Sequence, residues 1–506
     1  MIKLAKIFQS GMVLQRQKQI KFWGETNIEQ DISVRMKDEI LTEKFCQKGV
    51  FEVFLPAQEA AWNVEITVEG SIDGEVHLHN VDIGEVWIAG GQSNMEMELK
   101  FDSHGKETID HANDEHFRFY HVAQYAFAGE KEDGFKDESF WDVWLPFQQN
   151  YAGEFSAVAT YFARDLREKY NIPIGIVGCN WGGTSAVTWA DKSLLQENED
   201  LKIYIDEYND AVKDLDMKTY KENNRAGRAA EQKQSTKILL DLLMKGLHPF
   251  FQFFILQLSK KLPEHVMGPY DMNRPGGLYE QMVIQIASFT CRGVIWYQGE
   301  SDENKPHLYG ELFTTVIKSW RNAWGEDIPF LFVQLAPFKK WLTAVGDRYP
   351  LLRSKQEQVS KEVANTWMAS IMDVGMKHDI HPKLKKPVGE RLALLAMGKI
   401  YGEPILCESP EVTIVEKQNN QLTLTFNHAG SELTVKGKFI NSLFVYQQGK
   451  NIKISGFIIN KNKLILEHKQ LKSAKQIKIH FAMEPYCKVN LYNSAGIPAK
   501  PFMWVL

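Results

Sequence analysis

The chain has 506 residues, 44% hydrophobic and 24% charged, with a formal net charge of -5. That length calls for two or three domains rather than one core, and the composition is ordinary globular usage. The negative balance argues against nucleic acid or an anionic membrane surface as a partner. The most apolar stretch, Phe250 to Leu258, is broken by Gln252 and Gln257 and is far shorter than the roughly 20 residues of a membrane helix. The five cysteines include no CxxC pair and read as buried free thiols. The 13 Trp and 29 Phe chiefly fill cores, although aromatic faces also suit a glycan ligand. Met1 to Lys6 has no apolar h-region behind it, so the expected location is cytoplasmic, or secreted if an export segment has been trimmed.

Residues 1–82 read as an N-terminal β-domain. Ile20–Trp23, Ile32–Arg35 and Val64–Val68 alternate apolar and polar residues between turns, the signature of antiparallel strands. Residues 83–405 alternate strands with helices. Ser156 is placed to cap a helix carrying Ala157, Val158, Tyr161, Phe162 and Leu166 on one face, ended by Pro173. Ile174–Val177, Val294–Tyr297, Phe330–Val333 and Met368–Met372 are continuous apolar runs, suited to a parallel sheet covered on both faces. Residues 192–266 form a helical insert with three roles open to it: a lid, an oligomer contact, or, most plainly, a peripheral helical pair. From residue 406 to 506 alternation returns in Val412–Val415, Leu422–Phe426 and Ile477–Phe481, predicting a C-terminal β-domain.

Polar motifs follow the carboxyl ends of the predicted strands, the edge where open α/β sheets bind ligands. The segment Val86 to Met95 runs apolar to Gly90-Gly91 and then presents Gln92, Ser93 and Asn94. A serine opening a helix after a buried strand is placed for nucleophilic attack, with backbone N–H groups near a developing anion. Asn180-Trp181-Gly182-Gly183-Thr184, Trp296-Tyr297-Gln298-Gly299-Glu300-Ser301 and Asp379-Ile380-His381-Pro382 follow in order. Ester hydrolysis through serine needs a nucleophile, a base, an orienter and oxyanion donors. Ser93, His381 and Asp379 are the candidates for the first three. Ser93, Gly182, Gly183 and Gln298 are the candidates for the oxyanion hole, and Asn94 and Glu300 for bracing the loops. Asp379 stands two residues before His381, so Glu300 or a backbone carbonyl remains open as orienter. His378, Asp379 and His381 could be read as metal ligands, but no His-Glu-x-x-His motif or cysteine cluster supports that reading.

These four ordered blocks, with Gly11 to Arg16 near the start and Asn490 to Asn493 and Pro501-Phe502 near the end, resemble the sialate O-acetylesterase-like branch of the SGNH hydrolases. The resemblance implies a three-layer α/β/α SGNH (flavodoxin-like) hydrolase domain with a parallel sheet, flanked by two β-domains. It implies a serine hydrolase releasing acetate from O-acetylated sugars, with no metal or organic cofactor and a small-molecule or oligosaccharide substrate as partner. A homo-oligomer stays open. Asp302 and Glu280 occupy places where the family commonly has asparagine. Carboxylates there would disfavour an anionic sugar, which keeps acetylated xylo-oligosaccharides beside 9-O-acetylated sialic acid as substrates. The rivals are a non-catalytic glycan-binding protein and, within enzymes, a thioesterase or lipase-type SGNH hydrolase.

Overall fold

The computed structural model describes residues 1–37, 39–130, 140–231, 241–242, 244–246, 266–452, 454, 456–473 and 476–506. The apolar segment Phe250 to Leu258 lies outside them. The chain divides into two compact units, one comprising residues 1–241, 260–296 and 311–330, the other residues 242–259, 297–310 and 331–506.

In the first unit the N-terminal segments form the strands β1 (Ile2–Leu4), β2 (Val13–Gln15), β3 (Ile20–Thr26), β4 (Gln30–Met36), β5 (Glu39–Cys46), β6 (Gly49–Leu55) and β7 (Ala61–Gly70), antiparallel in their pairings except for β2. β1, β3 and β6 make one small sheet, and β4 pairs with β5 and β7. The central element is β8 (Glu75–Gly91), 17 residues long. Its first half pairs antiparallel with β7, from Glu75 to Ile83. Its second half, Glu85 to Gly91, pairs in parallel with β11 (Ile174–Asn180). The expected boundary between residues 82 and 83 therefore falls inside one strand.

The sheet continues in the order β10-β9-β11-β8-β12, with β9 at Asn113–His121, β10 at Trp144–Gln148 and β12 at Gly293–Tyr297. β9 and β11 are parallel, β10 is antiparallel to β9, and β2 runs parallel to β8. The sheet is mixed, where the apolar runs predict a parallel one. The antiparallel edge comes from Trp144–Gln148, whose pattern of buried and partly exposed residues marks it as less enclosed than its neighbours. Helix α1 (Ser93–Glu96) is a single turn, shorter than the helix-prone composition from Glu96 to Leu99 suggests. Helix α2 (Ala157–Tyr170) is capped as predicted, Ser156 Oγ accepting the Ala159 N–H at 3.1 Å. It ends at Asn171 in the left-handed region, two residues before Pro173. The insert begins with helices α3 (Lys192–Glu197), α4 (Lys202–Val212) and α5 (Met217–Glu231).

β8 is fastened where its environment changes. Glu85 is fully buried and its carboxylate meets Arg16 Nε at 2.7 Å and Arg292 Nε and Nη2 at 2.7 and 2.9 Å. Burial alone would raise its pKa, but the two guanidiniums outweigh it and hold the carboxyl below its ordinary value. Gln15 adds hydrogen bonds to Glu85 and to the Val86 N–H. The Gly11 to Arg16 motif thus pairs with and anchors the strand that leads to Ser93.

In the second unit, β13 (Phe330–Val333) neighbours β14 (Thr366–Ala369). β14 stops short of the predicted Met372, and just beyond it the Ser370 carbonyl accepts from Arg391 Nη1 at 3.1 Å. The C-terminal β-domain holds two four-stranded sheets. Leu422, Leu424, Phe426, Val445, Leu464, Leu466, Ile479 and Phe481 fill its core.

Candidate functional site

Ser93, Gly182 and Gly183 belong to the first unit; Gln298, Asp379 and His381 belong to the second.

β8 ends in Gly90 and Gly91 for steric reasons. A Cβ at Gly90 would stand 2.8 Å from the Trp296 ring, and Gly91 adopts φ +134°. The chain then turns into Ser93, the first residue of α1, whose neighbours Asn94 and Met95 are buried. The adjacent parallel strand β11 delivers the Asn180–Thr184 loop alongside. Trp181 N–H donates to Gly91 O at 3.1 Å and Asn180 Nδ2 to Ala89 O at 3.0 Å. A Cβ at Gly182 would lie 3.2 Å from the Ser93 Cβ, so this loop packs directly on the serine. The structure thus brings Ser93 and Gly182 together.

The two glycines differ in how they are held. Gly182 N–H donates to Glu96 Oε2 at 2.5 Å. Gly183 sits at φ +76°, which an L side chain adopts only with strain. Its carbonyl accepts from Asn273 Nδ2 at 3.3 Å, and among the described residues its N–H has no protein partner. Behind the loop, Trp189 Nε1 donates to Thr184 Oγ1 at 3.0 Å. Trp189 itself is buried edge-on against Trp296, so these two tryptophans are core residues, whereas Trp181 is only half-buried.

In the second unit the loop after β14 carries Asp379 and His381. Its start is pinned by a two-pronged ion pair, Arg391 Nη1 and Nη2 to Asp373 at 2.7 and 2.8 Å. Asp379 Oδ1 accepts the His381 backbone N–H at 2.8 Å and lies 3.6 Å from its Nδ1. The 3.6 Å separation exceeds a good hydrogen bond. Asp379 therefore fixes the loop and places its negative charge beside the imidazole. Its Oδ2 faces Lys383 Nζ at 3.2 Å, a partner that sequence reasoning missed. His381 is 5% exposed and packs edge-on against Trp341, ring centroids 5.0 Å apart. Burial pulls its pKa below the ordinary value; Asp379 opposes this, and Lys383 and Lys385 add to it. Desolvation raises the Asp379 carboxyl, but His381 and Lys383 together bring it below the usual range.

Gln298 is fully buried. Its Nε2 donates one hydrogen to Asp302, and its Oε1 accepts from Tyr309 Oη at 3.1 Å. Asp302, an acceptor of this amide, is 4% exposed. Glu280, the other acidic departure, is bound by Arg274 Nη2 at 2.8 Å. Glu300, two residues beyond Gln298, is buried and opens a short 3₁₀ helix. Among the described residues no cluster of three or more His, Cys, Asp or Glu could hold a metal, and no helix is long and apolar enough to cross a membrane.

Residues 267–396, which include Gln298, Asp379 and His381 but not Ser93, match the family model described as carbohydrate esterase, sialic acid-specific acetylesterase. Over these residues the chain is similar to that carbohydrate esterase family. Sialate O-acetylesterase of Rattus norvegicus is 28% identical over 410 residues, covering 75% of this chain and 67% of that protein. The Homo sapiens sialate O-acetylesterase is 26% identical, covering 70% of this chain and 59% of its own length. A solved carbohydrate acetylesterase from Xanthomonas citri is 26% identical with a TM-score of 0.75, covering 100% of this chain and 99% of that one. The likeness to the solved structure extends over the whole of this chain.

Glu96, Lys383 and Gln124, whose Nε2 donates to Glu96 Oε1 at 2.7 Å, are not assigned a role by the sequence motifs. Glu96 stands within three residues of Ser93, which is a signal of place. Gln124 and Lys383 carry none, because their roles depend on contacts made only in the folded chain.

Proposed function

We propose that the protein is a carbohydrate O-acetylesterase with a three-layer SGNH hydrolase core, acting by a Ser93–His381–Asp379 mechanism on an O-acetylated sugar of the sialate type. The observation that carries the reading is the seating of Ser93 at the end of β8 with the Gly182-Gly183 loop packed on it, in a chain related to carbohydrate esterases along its length. Ser93 Oγ attacks the acetyl carbonyl and its proton passes to His381 Nε2, while the Asp379 charge steadies the imidazolium at Nδ1. The oxyanion receives N–H groups from Ser93 and Gly183 and the second Nε2 hydrogen of Gln298. Collapse breaks the ester bond, and the sugar alcohol leaves with the proton from His381. Water, deprotonated by His381, then attacks the acetyl-serine, and acetate departs with Ser93 Oγ reprotonated.

Two observations favour an anionic sugar over a neutral xylo-oligosaccharide. The Glu280 carboxylate is paired with the Arg274 guanidinium, which offsets the charge that would repel a sialate. Lys383 and Lys385 add positive potential around His381. The test is acetate release from 9-O-acetylated sialic acid and from acetylated xylo-oligosaccharides, with wild type beside Ser93→Ala. Wild type should prefer the sialate, and the variant should lose about 10³-fold or more in kcat. Release from the xylo-oligosaccharide alone would reverse the substrate assignment, and an active Ser93→Ala would refute the mechanism.

A further inference from the structure

We propose that Glu96 is a positioning residue for ester cleavage: its carboxylate clamps the Gly182-Gly183 loop to the turn carrying Ser93 and takes the Gly182 N–H out of the oxyanion hole, leaving Gly183 as the loop's donor. This rests on the serine esterase reading above.

The argument lies wholly in the first unit. Glu96 is the last residue of the one-turn helix that Ser93 opens. Its two carboxylate oxygens face different partners: Oε2 accepts from Gly182 N–H at 2.5 Å, and Oε1 from Gln124 Nε2 at 2.7 Å. Gln124 Nε2 also donates to Asn180 O at 3.1 Å. The network therefore touches the loop at both Asn180 and Gly182 and returns to the nucleophile's own turn. A Cβ at position 182 would stand 2.8 Å from Glu96 Oε2 and 3.2 Å from the Ser93 Cβ, so a side chain there would push the carboxylate from its place. Glycine there serves close approach to the clamp.

The electrostatics follow from the same geometry. A peptide N–H carries one hydrogen, and at 2.5 Å to a carboxylate oxygen that hydrogen is committed. It cannot also stabilise an alkoxide. The carboxylate would itself repel an oxyanion placed against Gly182, so the oxyanion belongs on the other side, toward Gly183 and the Ser93 amide. Donor placement within a fraction of an ångström governs this kind of stabilisation, and a shift of about 1 Å can cost about 10² in rate.

The test compares Glu96→Ala, Glu96→Gln and Gln124→Ala in the full chain, with kcat and KM measured separately. Inhibition by methylboronic acid, which forms a tetrahedral adduct with an active serine, is measured alongside. Glu96→Ala should lower kcat by about 10- to 100-fold, leave KM within about threefold, and weaken methylboronate by the same factor as kcat. Glu96→Gln keeps an oxygen able to accept the Gly182 N–H and should recover much of the loss. Gln124→Ala, which removes only the support behind the carboxylate, should lower kcat modestly with KM unchanged; it serves as well if Glu96→Ala does not fold. Unchanged kcat in both alanine variants overturns the role, as does a loss in which KM, boronate binding and melting temperature move together without recovery by glutamine. If Ser93→Ala is inactive while the Glu96 variants are fully active, only the clamp fails. If Ser93→Ala stays active, the serine mechanism fails and the clamp with it.

Discussion

His381 shows how one side chain's surroundings set its working range. A buried imidazole flanked by two lysines resists protonation, while Asp379 supports it, and the balance falls below the ordinary value of about 6.5. A general base must be neutral to accept the Ser93 proton. The acidic limb of kcat/KM should therefore lie below pH 6.5, and activity should persist into mildly acidic solution before falling. Removing Lys383 takes a positive charge from beside the imidazole and frees Asp379 to favour the imidazolium. Lys383→Met should accordingly move the acidic limb to higher pH, readable in a pH–rate profile. A limb that stays fixed or moves down would mean that Lys383 does not act on His381. The sequence makes His381 legible because histidine is the usual residue for this task in such a block. Lys383 is silent there, since a lysine near a proline turn ordinarily reads as exposed.

At the scale of the element, β8 decides most of the architecture. Its pairing with β7 and then β11 makes it part of both the N-terminal β-domain and the α/β sheet, and Glu85 fastens the crossing point. Glu85→Ala would leave Arg16 and Arg292 partly buried without their shared counter-charge. Breaking a buried ion pair costs about 3–5 kcal/mol. Because both arginines keep some contact with water, about 3 kcal/mol is expected, seen as a lower thermal midpoint. A midpoint within a degree of wild type would refute the fastening. The strands and the helix capped by Ser156 were readable because burial on one or both faces writes itself into residue periodicity. The change of pattern near residue 82 is also real, but it records a change of environment along a continuous strand: residues 75–80 are mostly exposed on one face, and residues 81–91 are buried throughout. Periodicity reports burial and cannot report whether the chain turns. For the same reason the motifs reveal Ser93, Gly182, Gly183, Gln298 and His381 as candidates, while the roles of Glu96 and Gln124 emerge only once distant segments meet.

For the molecule as a whole, the five cysteines are all free and buried. Burial pushes the thiols of Cys291 and Cys487 up to about 12 and about 11, and raises that of Cys179 further. Thiolate is the reactive form, so the folded protein should keep its activity in oxidant-free or reducing buffer alike. A thiol-specific chromogenic reagent should label native protein slowly and denatured protein at all five positions. Rapid native labelling would contradict the burial. The long strand β8 also imposes an arithmetic on the gene. Side chains alternate along it, so residues 75–91 act as a ruler between one sheet and the serine. Deleting a single codon there would turn one end of the strand inside out relative to the other. Deleting two would keep every face and draw the ends about 7 Å closer. Where descendants of this chain vary the length of that segment, parity should be conserved more strictly than length itself.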